Sequence, residues 1–124
     1  MIWFVATEPV EKARLRESLH RAKYALEDCC GDVCLEINYA QVTKARFNES
    51  RPWAIVHSGG PTPIGEHGIL TSKEYVGCLR DWDVPQLAIC KGLQIAGAAL
   101  GGAEVAPMRP LRPGEKDPDA SYYG

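Results

Sequence analysis

Cys90 stands where an apolar segment meets a segment with helical character. The residues "QLAIC" (86–90) form a continuous apolar run, and "GLQIAGAALGG" (92–102) predicts a helix rich in small residues. In an open parallel sheet, ligands bind beyond the carboxyl ends of the strands, and a helix start there favours a thiolate and offers unpaired N–H groups to an oxyanion. Gly92 permits a sharp turn between the two segments. Cys90 is therefore either a nucleophile on a strand-to-helix turn or a buried core sulfur.

Strands and helices alternate along the first 106 residues. The predicted strands are 2–6, 33–40, 53–58 and 86–90. The predicted helices run from Thr7 to Gly31, from 71 to 82 and from 92 to 102, with a short helix or loop within 41–52. Thr7 is expected to cap the first helix, with Glu8 in its first turn, and Thr71 and Glu74 to form a capping box. This alternation predicts an α/β domain with a parallel sheet, in which strands 53–58 and 86–90 are neighbours.

Composition excludes several classes of function. The chain has 124 residues, 45% of them apolar and 24% charged, with a formal net charge of −2. This balance predicts one globular domain and gives no electrostatic basis for binding nucleic acid or an anionic membrane surface. No apolar run approaches the roughly 20 residues that span a bilayer, and the first apolar segment predicts a strand and not a signal peptide.

The five cysteines are an odd number without a secretory signal, which predicts reduced thiols and a cytoplasmic location. The cluster "CCGDVC" (29–34) lacks the ligand spacing of a zinc site, so we expect no metal there and no cofactor elsewhere. Its sulfurs are expected to be buried at a helix end and in the following strand.

Two motifs together resemble those of the class I glutamine amidotransferases. The first is "WAIVHSGGP" (53–61), and the second is "AICKGLQIAGAALGG" (88–102), in which Gln94 follows Cys90 by four residues. The resemblance covers most of residues 53–105. It implies a three-layer, flavodoxin-like α/β fold with a parallel sheet. It also implies that residues 1–106 are the N-terminal portion of a domain truncated at its C-terminus. Residues 107–124 are Pro-rich, of mixed charge and without periodicity, which predicts a mobile tail.

The resemblance also implies roles for individual residues. Cys90 matches the nucleophile that attacks the carboxamide carbon of glutamine. The backbone N–H groups of Lys91 and Gly60 match the oxyanion donors, and Gln94 and Gly60 match residues that hold the substrate. Ala88 departs from the family pattern, which has glycine there. The Lys91 side chain either stabilises the thiolate or, as we expect, points to solvent.

The family completes its catalytic triad with a downstream His-x-Glu pair, which these 124 residues do not contain. We expect His20 to lie far from Cys90, His67 to face solvent in the "GEHG" loop, and His57 to pack beside the sheet instead of serving as a base.

Three functions remain open. The first is a glutaminase that releases ammonia from glutamine, with low activity if the His-x-Glu part is absent. The second is a gamma-glutamyl peptide hydrolase, a group that often carries a basic residue after the cysteine, and the third is a non-catalytic binding or regulatory module. The expected partners are glutamine or a gamma-glutamyl compound, and either a synthase that accepts ammonia or a second copy bound through an exposed sheet edge.

Overall fold

A computed structural model describes residues 1–12, 16–105 and 113–114 of the chain. Within these residues the strands are Ile2–Ala6 (β1), Cys34–Asn38 (β2), Ala54–His57 (β3) and Gln86–Ala88 (β4). The α-helices are Arg16–Cys30 (α1), Lys44–Ser50 (α2), Lys73–Asp81 (α3) and Lys91–Gly101 (α4). The alternation predicted from sequence is confirmed, although β2, β3 and β4 are shorter than the apolar runs that predicted them.

The four strands form one parallel sheet in the order β2-β1-β3-β4. Parallel pairs with this order are typical of the flavodoxin-like doubly wound fold, so the predicted fold class is confirmed. In the β3–β4 ladder, His57 is paired with Ala88, which confirms that these two strands are neighbours. Their carboxyl ends, and the loops that follow them, therefore lie side by side at one edge of the sheet.

Side chains on the two faces of the sheet pack into separate cores. Phe4 faces α1 and shares one core with Leu19. Trp3, its neighbour in β1, faces the other side and shares a larger core with Tyr75 of α3 and Ile95 of α4. Alternate residues of a strand point to opposite faces, so helices on both sides give three layers. All five residues of β1 are buried, as expected of an interior strand.

Two predicted helix caps are wrong. The Thr7 hydroxyl donates to the carbonyl oxygen of Ser58 at 3.1 Å and so joins the exits of β1 and β3. The Thr71 hydroxyl donates to the carbonyl oxygen of Gly68 at 2.7 Å, and the Glu74 carboxylate accepts from the Lys44 amide at 3.2 Å. These side chains bond to partners other than those that the local pattern predicts.

The β4 side of the sheet exposes apolar side chains. Leu87, Ile89 and Trp53 are 54%, 41% and 51% exposed. In the described part of the chain, β4 pairs with a strand on one side alone. An unpaired edge with apolar neighbours is a surface on which a further strand or chain can pair.

Two sequence-based predictions concern regions that the structure leaves largely undescribed. The boundary at residue 106 and the mobile tail over 107–124 fall mostly on residues outside the described ones, and both stay predictions. Across residues 1–12, 16–105 and 113–114, no helix is both long and apolar enough to cross a membrane.

Candidate active site

Three loops meet where β1, β3 and β4 end. The Ser58 amide donates to the Val5 carbonyl at 2.9 Å, and the Ile89 amide donates to the His57 carbonyl at 3.0 Å. These bonds continue the two ladders past the ends of β3 and β4. They bring residues 7–8, 58–62 and 90–92 together at the carboxyl edge, where open α/β sheets bind ligands.

Cys90 occupies a strained backbone conformation directly before α4. Its φ is 51° and its ψ is −112°, and its side chain is exposed. Positive φ is uncommon for a residue with a side chain and costs of order 1–3 kcal/mol, which the surrounding structure must offset. A strained turn of this kind is what lifts a nucleophile above the sheet in hydrolase elbows.

Gly92 lies in the first turn of α4, where its lack of a side chain permits close packing. Positive φ falls on Cys90, and Gly92 is required for close approach. A Cβ on Gly92 would lie 2.6 Å from the His57 carbonyl oxygen and 3.0 Å from the Ser58 carbonyl oxygen. The first turn of α4 therefore packs directly on the backbone at the end of β3, which fixes the height of Cys90 above the sheet.

The "SGGP" turn lies beside the Cys90 side chain. A Cβ on Gly59 would lie 3.2 Å from Cβ and 3.9 Å from Sγ of Cys90. Among the described residues, neither the Gly60 amide nor the Lys91 amide donates to an acceptor. Two unpaired N–H groups, in the turn beside an exposed thiol and in the residue after it, are the components that an oxyanion site needs.

The Lys91 side chain does not point to solvent, and that expectation is wrong. Lys91 is 2% exposed, and its Nζ donates to Glu8 Oε1 at 2.8 Å and to the Thr7 carbonyl oxygen at 3.0 Å. Burial raises the pKa of Glu8, but hydrogen bonds from Lys91 and Thr62 lower it by more, so the carboxyl pKa lies below its usual value. The two side chains form a buried ion pair at 2.8 Å.

Glu8 is the site residue that sequence reasoning missed. The local pattern predicts it in the first turn of a helix, whereas the described part of α1 starts at Arg16. The available signal is its position. Glu8 follows the buried strand β1 by two residues, so it lies at the carboxyl edge of the sheet, where Lys91 also lies after β4. An acid and a base at that edge are candidates for a buried pair.

His57 packs within the domain, as predicted. Its ring is fully buried, with Nδ1 3.0 Å from Tyr75 Oη and Nε2 2.9 Å from Gln86 Oε1. The Gln86 amide nitrogen donates to the Cys78 carbonyl, so Oε1 must accept from His57 and the ring carries its proton on Nε2. Both ring nitrogens are occupied, and neither is available to Cys90. Burial also lowers the His57 pKa.

The other two histidines and Gln94 lie in different surroundings. His20 of α1 contacts Glu36 of β2 at 3.1 Å, in agreement with the prediction that it lies far from Cys90. His67 is half-buried, with Nδ1 3.3 Å from Tyr39 Oη, so the expectation that it faces solvent is wrong. Gln94 is exposed one helical turn after Cys90, where it stays a candidate substrate-binding residue.

All five cysteines are free thiols. Cys34 is buried as predicted, but Cys29 and Cys30 are exposed, which corrects the prediction that the whole cluster is buried. Burial raises the pKa of Cys78 to about 12. Cys90 is thus distinguished by its strained turn and its surroundings rather than by exposure alone.

Comparison with known proteins identifies the family. The family model "Glutamine amidotransferase class-I" matches residues 15–119. The chain belongs to the class I glutamine amidotransferases, and the resemblance seen in its two motifs is confirmed.

Several curated relatives carry the name "GMP synthase [glutamine-hydrolyzing]". The protein of Nitratidesulfovibrio vulgaris (strain DSM 19637 / Miyazaki F) is 39% identical over 70 residues, which cover 56% of this chain and 13% of the relative. That of Leifsonia xyli subsp. xyli (strain CTCB07) is 41% identical over 75 residues, or 60% and 14% of the two chains. That of Bacillus pumilus (strain SAFR-032) is 33% identical over 78 residues, or 62% and 15%. The matched segments thus span about a seventh of these relatives.

Proposed function

We propose that this protein hydrolyses the carboxamide of glutamine through a γ-glutamyl thioester on Cys90. The observation that carries the proposal is the Cys90 turn, which presents an exposed thiol at the start of α4, beside the "SGGP" turn. Membership of the class I glutamine amidotransferases supports the choice of glutamine as substrate. The name of the relatives, glutamine-hydrolyzing GMP synthase, supports the same choice.

The proposed chemistry proceeds in two acyl-transfer steps. The Cys90 thiolate attacks the carboxamide carbon, and the carbonyl oxygen becomes an oxyanion held by the Gly60 and Lys91 amides. The oxyanion then re-forms the carbonyl while the C–N bond breaks, and the nitrogen takes a proton from solvent and leaves as ammonia. Water hydrolyses the thioester to glutamate and returns the thiol. Removal of one donor from a comparable oxyanion site costs about 10²–10³-fold in rate.

The proposed nucleophile and oxyanion donors lie within the described residues, whereas neither His57 nor His20 is placed to serve as the base for Cys90. His57 has both nitrogens engaged, and His20 lies at α1 and β2. A triad without its base retains weak catalysis from the oxyanion site and binding. We therefore expect this chain alone to form the thioester more readily than it turns over glutamine.

The gamma-glutamyl peptide hydrolase remains the second candidate. The basic residue after the cysteine is the sequence feature that suggests it, but Lys91 is buried against Glu8 and does not face a substrate. That side chain therefore does not favour a gamma-glutamyl peptide over glutamine. The third candidate is the non-catalytic module, which predicts no acylation of Cys90 by either substrate.

We propose that the β4 edge binds another polypeptide, either a synthase that accepts ammonia or a second copy of this chain. The exposed Leu87 and Ile89 beside the unpaired edge support this. The relatives are named as GMP synthases that hydrolyse glutamine, and this name supports a synthase as the partner. Gel filtration of the wild type and of Leu87→Lys distinguishes self-association, which the charged residue would weaken.

The function is tested with glutamine and hydroxylamine, because hydroxylamine intercepts thioesters as γ-glutamyl hydroxamate. At saturating hydroxylamine the wild type should form hydroxamate and release ammonia in equal amounts, and Cys90→Ser should form neither. Cys29→Ser removes another exposed thiol and should behave as the wild type. Preferential release of an amino acid from a γ-glutamyl dipeptide would favour the hydrolase. No Cys90-dependent product from either substrate would overturn both enzymatic functions.

A further inference from the structure

A buried carboxylate connects all three loops of the candidate site. Oε1 of Glu8 accepts from Lys91 Nζ at 2.8 Å and from the Thr62 amide at 3.1 Å, and Oε2 accepts from the Thr62 hydroxyl. Lys91 Nζ also donates to the Thr7 carbonyl at 3.0 Å. Glu8, Thr62 and Lys91 are 2%, 4% and 2% exposed. One carboxylate thus joins the exits of β1 and β3 to the first residue of α4.

The same contacts reach both proposed oxyanion donors. Lys91 carries one of the two amides on its own backbone. Gly60 carries the other, and its α-carbon lies against the Glu8 carboxylate: a Cβ there would be 2.0 Å from Oε1 and 2.7 Å from Cδ. A shift of the Glu8 carboxylate would therefore displace both amides relative to each other.

An ion pair in this place is unusual if its role is stability alone. Two charges removed from water cost several kcal/mol to desolvate, and well-packed apolar residues commonly stabilise a fold as well or better. Charged groups add directional hydrogen bonds of fixed length. The Glu8 bonds join residues 83 and 54 positions apart in sequence, so they fix distances that local structure cannot set.

We propose that the Glu8–Lys91 pair is a positioning device that aligns the Gly60 and Lys91 amides on one oxyanion. Glu8 and Lys91 are then positioning residues for acyl transfer at Cys90, and neither side chain touches the substrate. The inference rests on the proposed function and adds the residues that keep its oxyanion site in register. Preorganised donors are effective because they need no rearrangement when charge develops, and a misplacement of about 1 Å can cost 10²-fold in rate.

Two alkylating reagents separate donor alignment from thiol reactivity. The chloromethyl ketone analogue of glutamine forms a C–S bond with the Cys90 thiolate while its C–Cl bond breaks and chloride leaves with the electron pair. No proton donor is needed, and thiolate addition to the ketone places charge on an oxygen at the oxyanion site. Iodoacetamide reports the thiolate and its accessibility without using that site. The ratio of the maximal analogue rate to the iodoacetamide rate constant, at one pH, therefore reports donor alignment.

The variants are made in the full chain. Glu8→Gln keeps the shape and removes the charge, Lys91→Met removes the ammonium, and the double variant leaves no lone buried charge. We expect each to lower the ratio by about 10- to 100-fold, with a smaller change in the half-saturating analogue concentration. Glu27→Gln is the matched control, because Glu27 Oε1 also accepts from a lysine, Lys23 at 2.9 Å, and from an amide, Cys34 at 2.8 Å. Its ratio should equal that of the wild type.

The outcomes separate the inference from the function on which it rests. Wild-type labelling at Cys90 with an unchanged ratio in a folded single or double variant would overturn the positioning role and leave the proposed function standing. Variants that all fail to fold, by near-UV circular dichroism, would assign the pair to folding and overturn the inference. A wild type that the glutamine analogue does not label at Cys90 would overturn both.

Discussion

Gly92 lies directly against His57: a Cβ on Gly92 would be 2.6 Å from the His57 carbonyl oxygen. The obstructing atom belongs to the backbone of β3, which cannot rotate away as a side chain can. Gly92→Ala should therefore force α4 away from the sheet and destabilise the protein by about 1–3 kcal/mol. Urea unfolding followed by circular dichroism measures this.

The control for that substitution lies on the same helix. A Cβ on Gly101 would meet open space, with no contact within 4 Å, and Gly101 does not have positive φ. Gly101→Ala should be neutral or should stabilise by up to about 1 kcal/mol, because alanine favours helix. Equal stability of the two variants would contradict the close contact between α4 and β3.

The positive φ of Cys90 should make the glycine variant at this position more stable than the alanine variant. With φ at 51°, any side chain at this position is strained, and glycine is not. Cys90→Gly should be more stable than Cys90→Ala by about 1 kcal/mol, although glycine usually lowers stability relative to alanine. Thermal unfolding of the two variants under one condition decides it, and a more stable alanine variant would mean that the turn is relaxed.

Partial labelling should rank the five thiols. Cys90 should react first because it is exposed at a helix start, followed by the exposed Cys29 and Cys30. Cys34 and Cys78 should react last, because burial raises the pKa of each, for Cys78 to about 12. Substoichiometric iodoacetamide and peptide mapping give the order. Preferential labelling of Cys29 or Cys30 would weigh against a nucleophilic Cys90.

His57 should make stability fall in mild acid. Burial lowers its folded pKa below the ordinary 6.5, so below about that pH the unfolded chain holds more protons than the folded one. Stability from this group is therefore full above pH 6.5 and decreases as the pH falls towards the lowered value. Urea midpoints from pH 8 to pH 5 measure the slope.

The variant His57→Gln isolates that contribution. It should be less stable overall, because it breaks the contacts with Tyr75 and Gln86, but its stability should depend less on pH. Part of the slope should remain, because burial also lowers the pKa of His67. A slope identical to that of the wild type would show that His57 titrates in the same way in the folded and unfolded states.

The sequence predicted the sheet and the position of Cys90 because both are encoded locally. Apolar runs separated by helical periodicity specify strands buried on both faces, and the parallel crossovers then place the strand ends together. The sequence did not indicate which residue adopts the special backbone conformation of the turn. Glycine is the usual residue at positive φ, yet here Cys90 adopts it and Gly92 permits contact with β3.

The side-chain contacts between the loops could not be predicted from local sequence patterns. The Glu8–Lys91 pair joins residues 83 positions apart, and no periodic pattern specifies such a partner. Local pattern places Glu8 in a helix and Lys91 in solvent because charged side chains usually have those surroundings. The capping box failed in part for the same reason, since Glu74 accepts from Lys44, 30 positions away, whereas Thr71 bonds locally to Gly68.

The interior position of β1 has a consequence for synthesis of the chain. β1 is made first, but both of its neighbours in the sheet, β2 and β3, follow it in sequence. At a translation rate of about 5–20 residues per second, the residues between the end of β1 and the end of β3 take roughly 3–10 s to appear. Throughout that interval the apolar segment "IWFVA" lacks at least one of its two partner strands, because β2 is made before β3. The nascent chain therefore exposes an apolar strand before the carboxyl edge of the sheet, with its candidate active site, can assemble.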